Sequence, residues 1–196
     1  MKRSMDQADR AMDIIKRISI FAKAGIEGEM KFEAISVAEV LEDILPLVRY
    51  ELAANSIVLT REIPKDLPEV WADRRYLEEI FFNLIVNACQ ALKETGKAGE
   101  IRVNARVDPN THPVCDIGLP KHTPGVERVF VTVEDIGPGI SKEQLNRIFE
   151  PFYTTKALGT GLGLYVVKQL VEKNGGKVDV RSRMGEGTSF TITLSA

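Results

Sequence analysis

Apolar residues recur near the start of the chain at steps of three and four: Met5, Ala8, Met12, Ile15, Ser19 and Ala22, with Ile14, Ile18 and Phe21 broadening the stripe. The spacing predicts an amphipathic helix over 4–24 that asks for a partner helix. Gly25 and Gly28 end it, and a linker follows. A short strand is expected over 32–37. Next comes a helix over 38–53 whose inner face is Val40, Leu41, Ile44, Leu45 and Val48, with Pro46 as an interior irregularity.

Alternation then takes over. Ile57, Leu59, Arg61 and Ile63 mark a strand stopped by Pro64, and Asp73 stands where it could cap a helix reaching Lys93. That helix carries Leu77, Ile80, Phe81, Leu84, Ile85, Ala88, Ala91 and Leu92. Two more alternating strands, 101–107 and 128–135, are joined by a stretch containing Pro, His and Gly, without periodicity. Ser141 caps a short helix to Phe149, another helix runs from about Gly161 to Lys173, and Asn174-Gly175-Gly176 closes it. Strands 177–183 and 188–194 finish the chain. The order implies an α/β domain over 31–196 in which helices layer on one mixed sheet, with an insertion at about 108–127 and a helical arm and linker over 1–30.

Composition narrows the class. The 196 residues are 44% hydrophobic with a formal net charge of −2 and mixed signs throughout, so no basic face invites nucleic acid. No apolar run approaches the roughly 18 residues of a membrane span, and the start lacks a signal-peptide segment. The two cysteines, Cys89 and Cys115, are too few for a disulfide framework. A soluble domain in a reducing, cytoplasmic compartment is the expectation.

Four elements carry chemistry. Asn83-Leu84-Ile85-Val86-Asn87 puts two amides one turn apart on one helical face. An amide oxygen suits Mg²⁺, although such a pair can equally serve as structural hydrogen-bonding groups. Asp135-Ile136-Gly137-Pro138-Gly139-Ile140 follows a strand; its acid could accept from an exocyclic amine, or could simply initiate a turn. Gly159-Thr160-Gly161-Leu162-Gly163-Leu164 opens a helix, where free N–H groups and the dipole favour an anion. It is neither a dinucleotide fingerprint nor a Walker loop. Phe149-Glu150-Pro151-Phe152-Tyr153-Thr154-Thr155-Lys156 reads as a hinged lid whose lysine can meet phosphate charge, or as a hydrophobic loop anchor.

In order and spacing these elements, with Gly185-Glu186-Gly187-Thr188 as a fifth, resemble the N, first glycine, F, second glycine and third glycine boxes of sensor histidine kinases. The resemblance covers about 34–194. It implies a Bergerat ATP-binding fold, a two-layer α/β sandwich shared with gyrase, Hsp90 and MutL ATPases. By the same resemblance Asn87 is the Mg²⁺-ligating amide, Asn83 its partner near the phosphates and Asp135 the adenine acceptor. Gly137 and Gly139 line the base pocket, and Gly159, Gly161, Leu162 and Gly163 belong to the phosphate-cradling end of the lid. Thr188 supports the adenine site, and Phe149 and Phe152 anchor the lid. Glu79, one turn before Asn83, shares this face and reads as solvated or structural.

Two departures stand out. Many family members carry a basic residue three positions after the second asparagine, where this chain has Gln90, so phosphate neutralisation passes to Lys93 or Lys156. The insertion holds His112, Cys115 and His122, too few ligands for a closed metal site. The resemblance makes the N-terminal helix the second helix of a dimerisation and phosphoacceptor domain, and the chain a fragment that lacks its phosphoacceptor histidine. The expected partners are Mg²⁺, ATP, that helical domain within a homodimer, and a response regulator receiver domain. Both a soluble and a membrane-anchored parent kinase are compatible with the sequence. Two alternatives stay open: a serine kinase and anti-sigma module on the same fold, and an inactive scaffold.

Overall fold

The structure of the protein, a computed structural model, describes residues 30–96, 98–108, 127–156 and 159–196. The expected arm helix over 4–24 and the insertion's His112, Cys115 and His122 lie outside the described residues. Within them the chain runs β1 (Phe32–Ile35), α1 (Val37–Ala54), β2 (Ile57–Glu62), β3 (Val70–Asp73), α2 (Arg74–Thr95), β4 (Gly99–Asp108) and β5 (Arg128–Asp135). It continues through α3 (Lys142–Leu145), α4 (Gly163–Lys173), β6 (Lys177–Arg183) and β7 (Gly187–Ser195).

Five strands form one mixed sheet in the order β2, β4, β5, β7, β6, with β2 and β4 parallel and every other pair antiparallel. Period-two alternation gives the sheet two unlike faces. Along β5, Val129, Val131, Val133 and Asp135 are buried, while Phe130, Thr132 and Glu134 are partly exposed. The inner face packs on α1, α2 and α4, whose Ile44, Val48, Leu84, Ile85, Val167 and Leu170 belong to the same core. The other face carries polar partners: Thr132 and Thr191 share a hydroxyl hydrogen bond of 3.0 Å, and Arg106 lies 4.8 Å from the centre of the Phe130 ring. One layer of helices on one mixed sheet is the Bergerat arrangement.

Several local outcomes differ from the expectations. Strand β1 is shorter, because Ser36 caps α1 and accepts from Glu39 N, so Val37 is already helical. It pairs antiparallel with β3 in a separate two-stranded sheet, outside the main one. Strand β3 was not anticipated, since four residues between Pro68 and a helix give no periodic signal. Helix α1 runs through Pro46, which faces solvent, so the carbonyl that loses its amide partner can turn to water. Helix α3 stops at Leu145 instead of reaching Phe149, although its expected Ser141 cap is present as a reciprocal box with Gln144. Helix α4 starts at Gly163, because Gly161 has φ of +68°, a left-handed value that no helix interior takes.

Helix α2 is the element the site hangs on, and its start is held firmly. Asp73 caps it by accepting from Arg75 N at 3.1 Å, and also accepts from Lys31 N at 3.0 Å. Asp73 N in turn donates to Asn174 Oδ1 at 2.8 Å, while Asn174 Nδ2 donates to the Leu170 carbonyl. This buried asparagine thus ties the end of α4 to the start of α2.

Candidate nucleotide site

Asn83 and Asn87 project from the face of α2 that meets the start of α4. A Cβ placed on Gly163 would lie 3.3 Å from Asn83 Oδ1 and 3.5 Å from Asn87 Nδ2. The two amides are not alike. Asn83 is 5% exposed and its Nδ2 donates to the Glu79 carbonyl at 2.8 Å and to Glu79 Oε1 at 2.6 Å. Glu79 is therefore structural, the side chain that orients Asn83. Asn87 Nδ2 is buried with no hydrogen-bond partner, and among the described residues it is the one side-chain atom in that state. A buried donor without a partner costs about 1–3 kcal/mol, which marks this atom as the place where an acceptor would be gained.

The N-terminus of α4 has the same incompleteness. Leu162 occupies the capping position, and no side chain there accepts a hydrogen bond. The first N–H groups of a helix have no intrahelical partner, so this end presents donors beside the asparagines. Leu162 itself is 2% exposed and holds this turn from within.

Asp135 arrives from the opposite side. The alternation of β5 points it inward with Val131 and Val133, and it is 5% exposed. Its Oδ1 accepts from Gly137 N at 2.8 Å. Burial raises the carboxyl to about 6, even though the Gly137 backbone, the Lys156 charge and the Thr188 backbone all favour its ionised form. Thr188 stands directly opposite on β7, its hydroxyl 3.0 Å from Ser182 Oγ. Ser182 also accepts from Ile140 N at 2.8 Å and donates to the Gly187 carbonyl, so one serine of β6 fixes both glycine turns. Sequence reasoning missed Ser182, because a lone serine in an alternating strand carries no signal. Gly139 has φ of +76°, and a Cβ there would lie 2.1 Å from the Arg183 carbonyl oxygen, so only glycine allows this turn to close on β6.

The lid segment completes the enclosure. Phe149 packs edge-on against Phe190, ring centres 6.5 Å apart. Phe152 is 68% exposed, and its backbone, with φ of +65°, abuts Gly161. Tyr153 takes the inward place, with the Arg147 guanidinium 4.4 Å from its ring centre. Lys156 Nζ donates to Gln90 Oε1 at 2.9 Å, whereas Lys93 is exposed and stands outside the cleft wall. Together these elements bound an open cleft of about 170 Å³, so the residues surround a space and not a packed core.

Of the residues singled out from the sequence, Asn87, Asp135, Gly139, Lys156, Gly159, Gly161, Gly163 and Thr188 line that cleft. Asn83, Gly137 and Leu162 stand immediately behind it, held by the contacts described above. Gln144, Ile148 and Glu94 also form its wall; each is an ordinary helix or turn residue whose role only the enclosure reveals. Cys89 lies deeper in α2 and is buried, which pushes its thiol up to about 11 and leaves it inert. No trio of His, Cys, Asp or Glu able to hold a metal occurs among the described residues. A bound Mg²⁺ would draw its charge balance from phosphates, as that ion commonly does, and Asn87 offers a neutral amide oxygen. Nor, among the described residues, is any helix long and apolar enough to cross a membrane.

Known proteins are similar to this chain in sequence and fold. Residues 72–196 match the family model of histidine kinase-, DNA gyrase B- and HSP90-like ATPases. The chain is 34% identical over 188 residues to the sensor histidine kinase ZraS of Klebsiella oxytoca, covering 96% of this chain and 36% of that protein. Full-length ShkA, solved in complex with AMPPNP, is similar with a TM-score of 0.76 and 25% identity over 97% of this chain and 37% of that one. Histidine kinase ThkA, solved in complex with the response regulator TrrA, gives a TM-score of 0.70 and 25% identity over 97% of this chain and 48% of that one. The chain thus spans about a third of the length of the ZraS relatives it matches. With paired asparagines, a buried aspartate and a glycine-hinged lid around one cleft, it belongs to the histidine kinase-, DNA gyrase B- and HSP90-like ATPases, as a catalytic, ATP-binding domain of the histidine kinase type.

Proposed function

We propose that this domain binds Mg·ATP in the cleft and passes the γ-phosphoryl group to a histidine borne on a phosphoacceptor helix, for onward transfer to an aspartate of a response regulator. The observation that carries the reading is the partnerless Asn87 Nδ2 close beside the uncapped start of α4, two sets of unsatisfied donors in one neighbourhood. An anion satisfies both, and the buried Asp135 across the cleft suits the exocyclic amine of a purine. The AMPPNP complex of ShkA and the response-regulator complex of ThkA support the same assignment by likeness.

Each residue has a distinct task in this reading. Asp135 accepts from the adenine amine, with Gly137, Gly139 and Thr188 shaping the base end. Asn87 offers its amide to the metal and the phosphates, and Asn83, oriented by Glu79, keeps its Oδ1 on the same side. Gly159, Gly161 and Gly163 let the phosphates approach backbone N–H groups, and Lys156 supplies positive charge. Mg²⁺, when bound, would neutralise charge on the phosphate oxygens. In the transfer a ring nitrogen of the acceptor histidine forms a bond to the γ-phosphorus. The bond from that phosphorus to the β,γ-bridging oxygen breaks, and ADP leaves with the electron pair.

Asn83 also bears on what the domain avoids. An amide cannot take a proton from water as a carboxylate can, so hydrolysis is expected to be slow. The test is incubation with γ-labelled ATP and a separate helical domain bearing a phosphoacceptor histidine. Acid-labile label on that domain is the expected result. Tight Mg·ATP binding without transfer rejects the kinase reading, and acid-stable label on a serine favours the serine kinase module. Absence of any metal-dependent nucleotide affinity leaves only the inactive scaffold.

A further inference from the structure

The hydrogen bond from Lys156 to Gln90 joins residues 66 positions apart and bridges the lid segment to α2. Both residues line the cleft, and Gln90 stands three positions after Asn87 on the same helix. Resting on the nucleotide reading above, we infer that Gln90 is a positioning residue: its amide seats the Lys156 ammonium over the phosphate end of the cleft, so that the phosphate-facing cation is carried by the lid and not by α2.

The chemistry of the pair supports this division of labour. A lysine has a flexible four-carbon stem and three donors, so without a seat its ammonium samples many positions. A neutral amide oxygen holds a cation in place without cancelling its charge, which a carboxylate would do. A basic residue at position 90 would repel Lys156 instead. Lys156 lines the same cleft as Asp135, and its charge reaches that carboxyl. Two hydrogen bonds hold the backbone at Lys156. Thr154 Oγ1 accepts from Lys156 N at 3.1 Å, and Gly159 N donates to the Lys156 carbonyl at 3.0 Å. Two residues on, Gly161 rests against the backbone of Phe152. The backbone of Lys156 is thus held on both sides, and the flexible stem carries the ammonium from there to Gln90.

The experiment measures affinity for Mg·AMPPNP by calorimetry, and for adenosine by displacement of a fluorescent nucleotide, on the full 196-residue chain. The variants are Lys156→Gln, Gln90→Leu and the double substitution. Lys156→Gln should weaken the triphosphate about tenfold, and Gln90→Leu about three- to tenfold, while adenosine affinity changes less than about twofold. Because Gln90 acts through Lys156, adding Gln90→Leu to Lys156→Gln should cause no further loss. Additive losses overturn the inference, as does a Gln90→Leu protein that keeps the wild-type triphosphate affinity. Should Gln90→Leu fold poorly, Gln90→Asn removes the reach while keeping the amide and is expected to behave alike. A wild-type chain that binds neither ligand would count against the nucleotide reading itself, a result distinct from either of these.

Discussion

Asp135 and Thr188 face each other on adjacent antiparallel strands, and both are buried at the end of the sheet where the cleft begins. The consequence is a carboxyl raised to about 6 by burial. An adenine amine donating to the ionised form would lower it again, so binding and deprotonation are linked. Nucleotide affinity should therefore rise as pH increases through about 6 and level off above about 7, by at most about tenfold per pH unit. Asp135→Asn should weaken binding and remove that component of the pH profile, checked by titrations across pH 5–8 against the wild type.

The same group affects stability with a definite sign. An acid whose folded pKa is raised stabilises the fold below its unfolded value of 3.8, and that contribution is lost as pH rises through about 6. The shift corresponds to about 3 kcal/mol at most. Denaturant titrations of Asp135→Asn should show a nucleotide-free protein more stable than the wild type at pH 7, and little different at pH 4.

Asn87 should show a separation of stability from function. Its Nδ2 is buried without a partner in the nucleotide-free protein, a state costing about 1–3 kcal/mol. Asn87→Ala is expected to leave the thermal midpoint unchanged or raised, while the Mg²⁺-dependent part of nucleotide affinity falls about tenfold or more. A large destabilisation with unchanged metal dependence would place Asn87 among the structural amides.

Asp73 predicts the opposite behaviour. Burial alone would raise its carboxyl, but Arg75 and the Lys31 backbone hold it below the usual carboxylate value of 3.8. Its stabilisation is present above that value and lost as pH falls below it. Asp73→Ala should cost about 2–3 kcal/mol at pH 7, through the lost helix cap and the unpaired Lys31 amide. Urea denaturation at pH 7 and pH 3 should show the difference shrinking in acid.

Gly161→Ala tests the lid hinge. The added Cβ would lie 2.4 Å from the Phe152 carbonyl carbon, at a φ of +68° that an alanine adopts only with strain. The lid must shift, and we expect stability to fall by about 1–3 kcal/mol and nucleotide affinity by about tenfold. Thermal melts and calorimetry measure the two separately.

Much of this protein could be read from residue order, because helices and long strands are set by local periodicity. The alternation Val129, Val131, Val133, Asp135 already sends the acid inward, and the four-residue spacing of Asn83 and Asn87 already places both on one face of α2. Glycines at 159, 161 and 163 likewise mark a turn that opens a helix. What tertiary structure decided are the relations between distant segments, which no local pattern encodes. The pairing of β1 with β3 outside the main sheet, the Asn174 link to Asp73, and the seat of Lys156 on Gln90 all join residues far apart in the chain. So did the roles within single motifs. Glu79 satisfies Asn83 but no described residue satisfies Asn87 Nδ2, and Tyr153 lines the cleft while Phe152 is largely exposed. The physical reason is that periodicity fixes which face a side chain takes, whereas its partner, its burial and its charge environment depend on what the rest of the chain brings to that face.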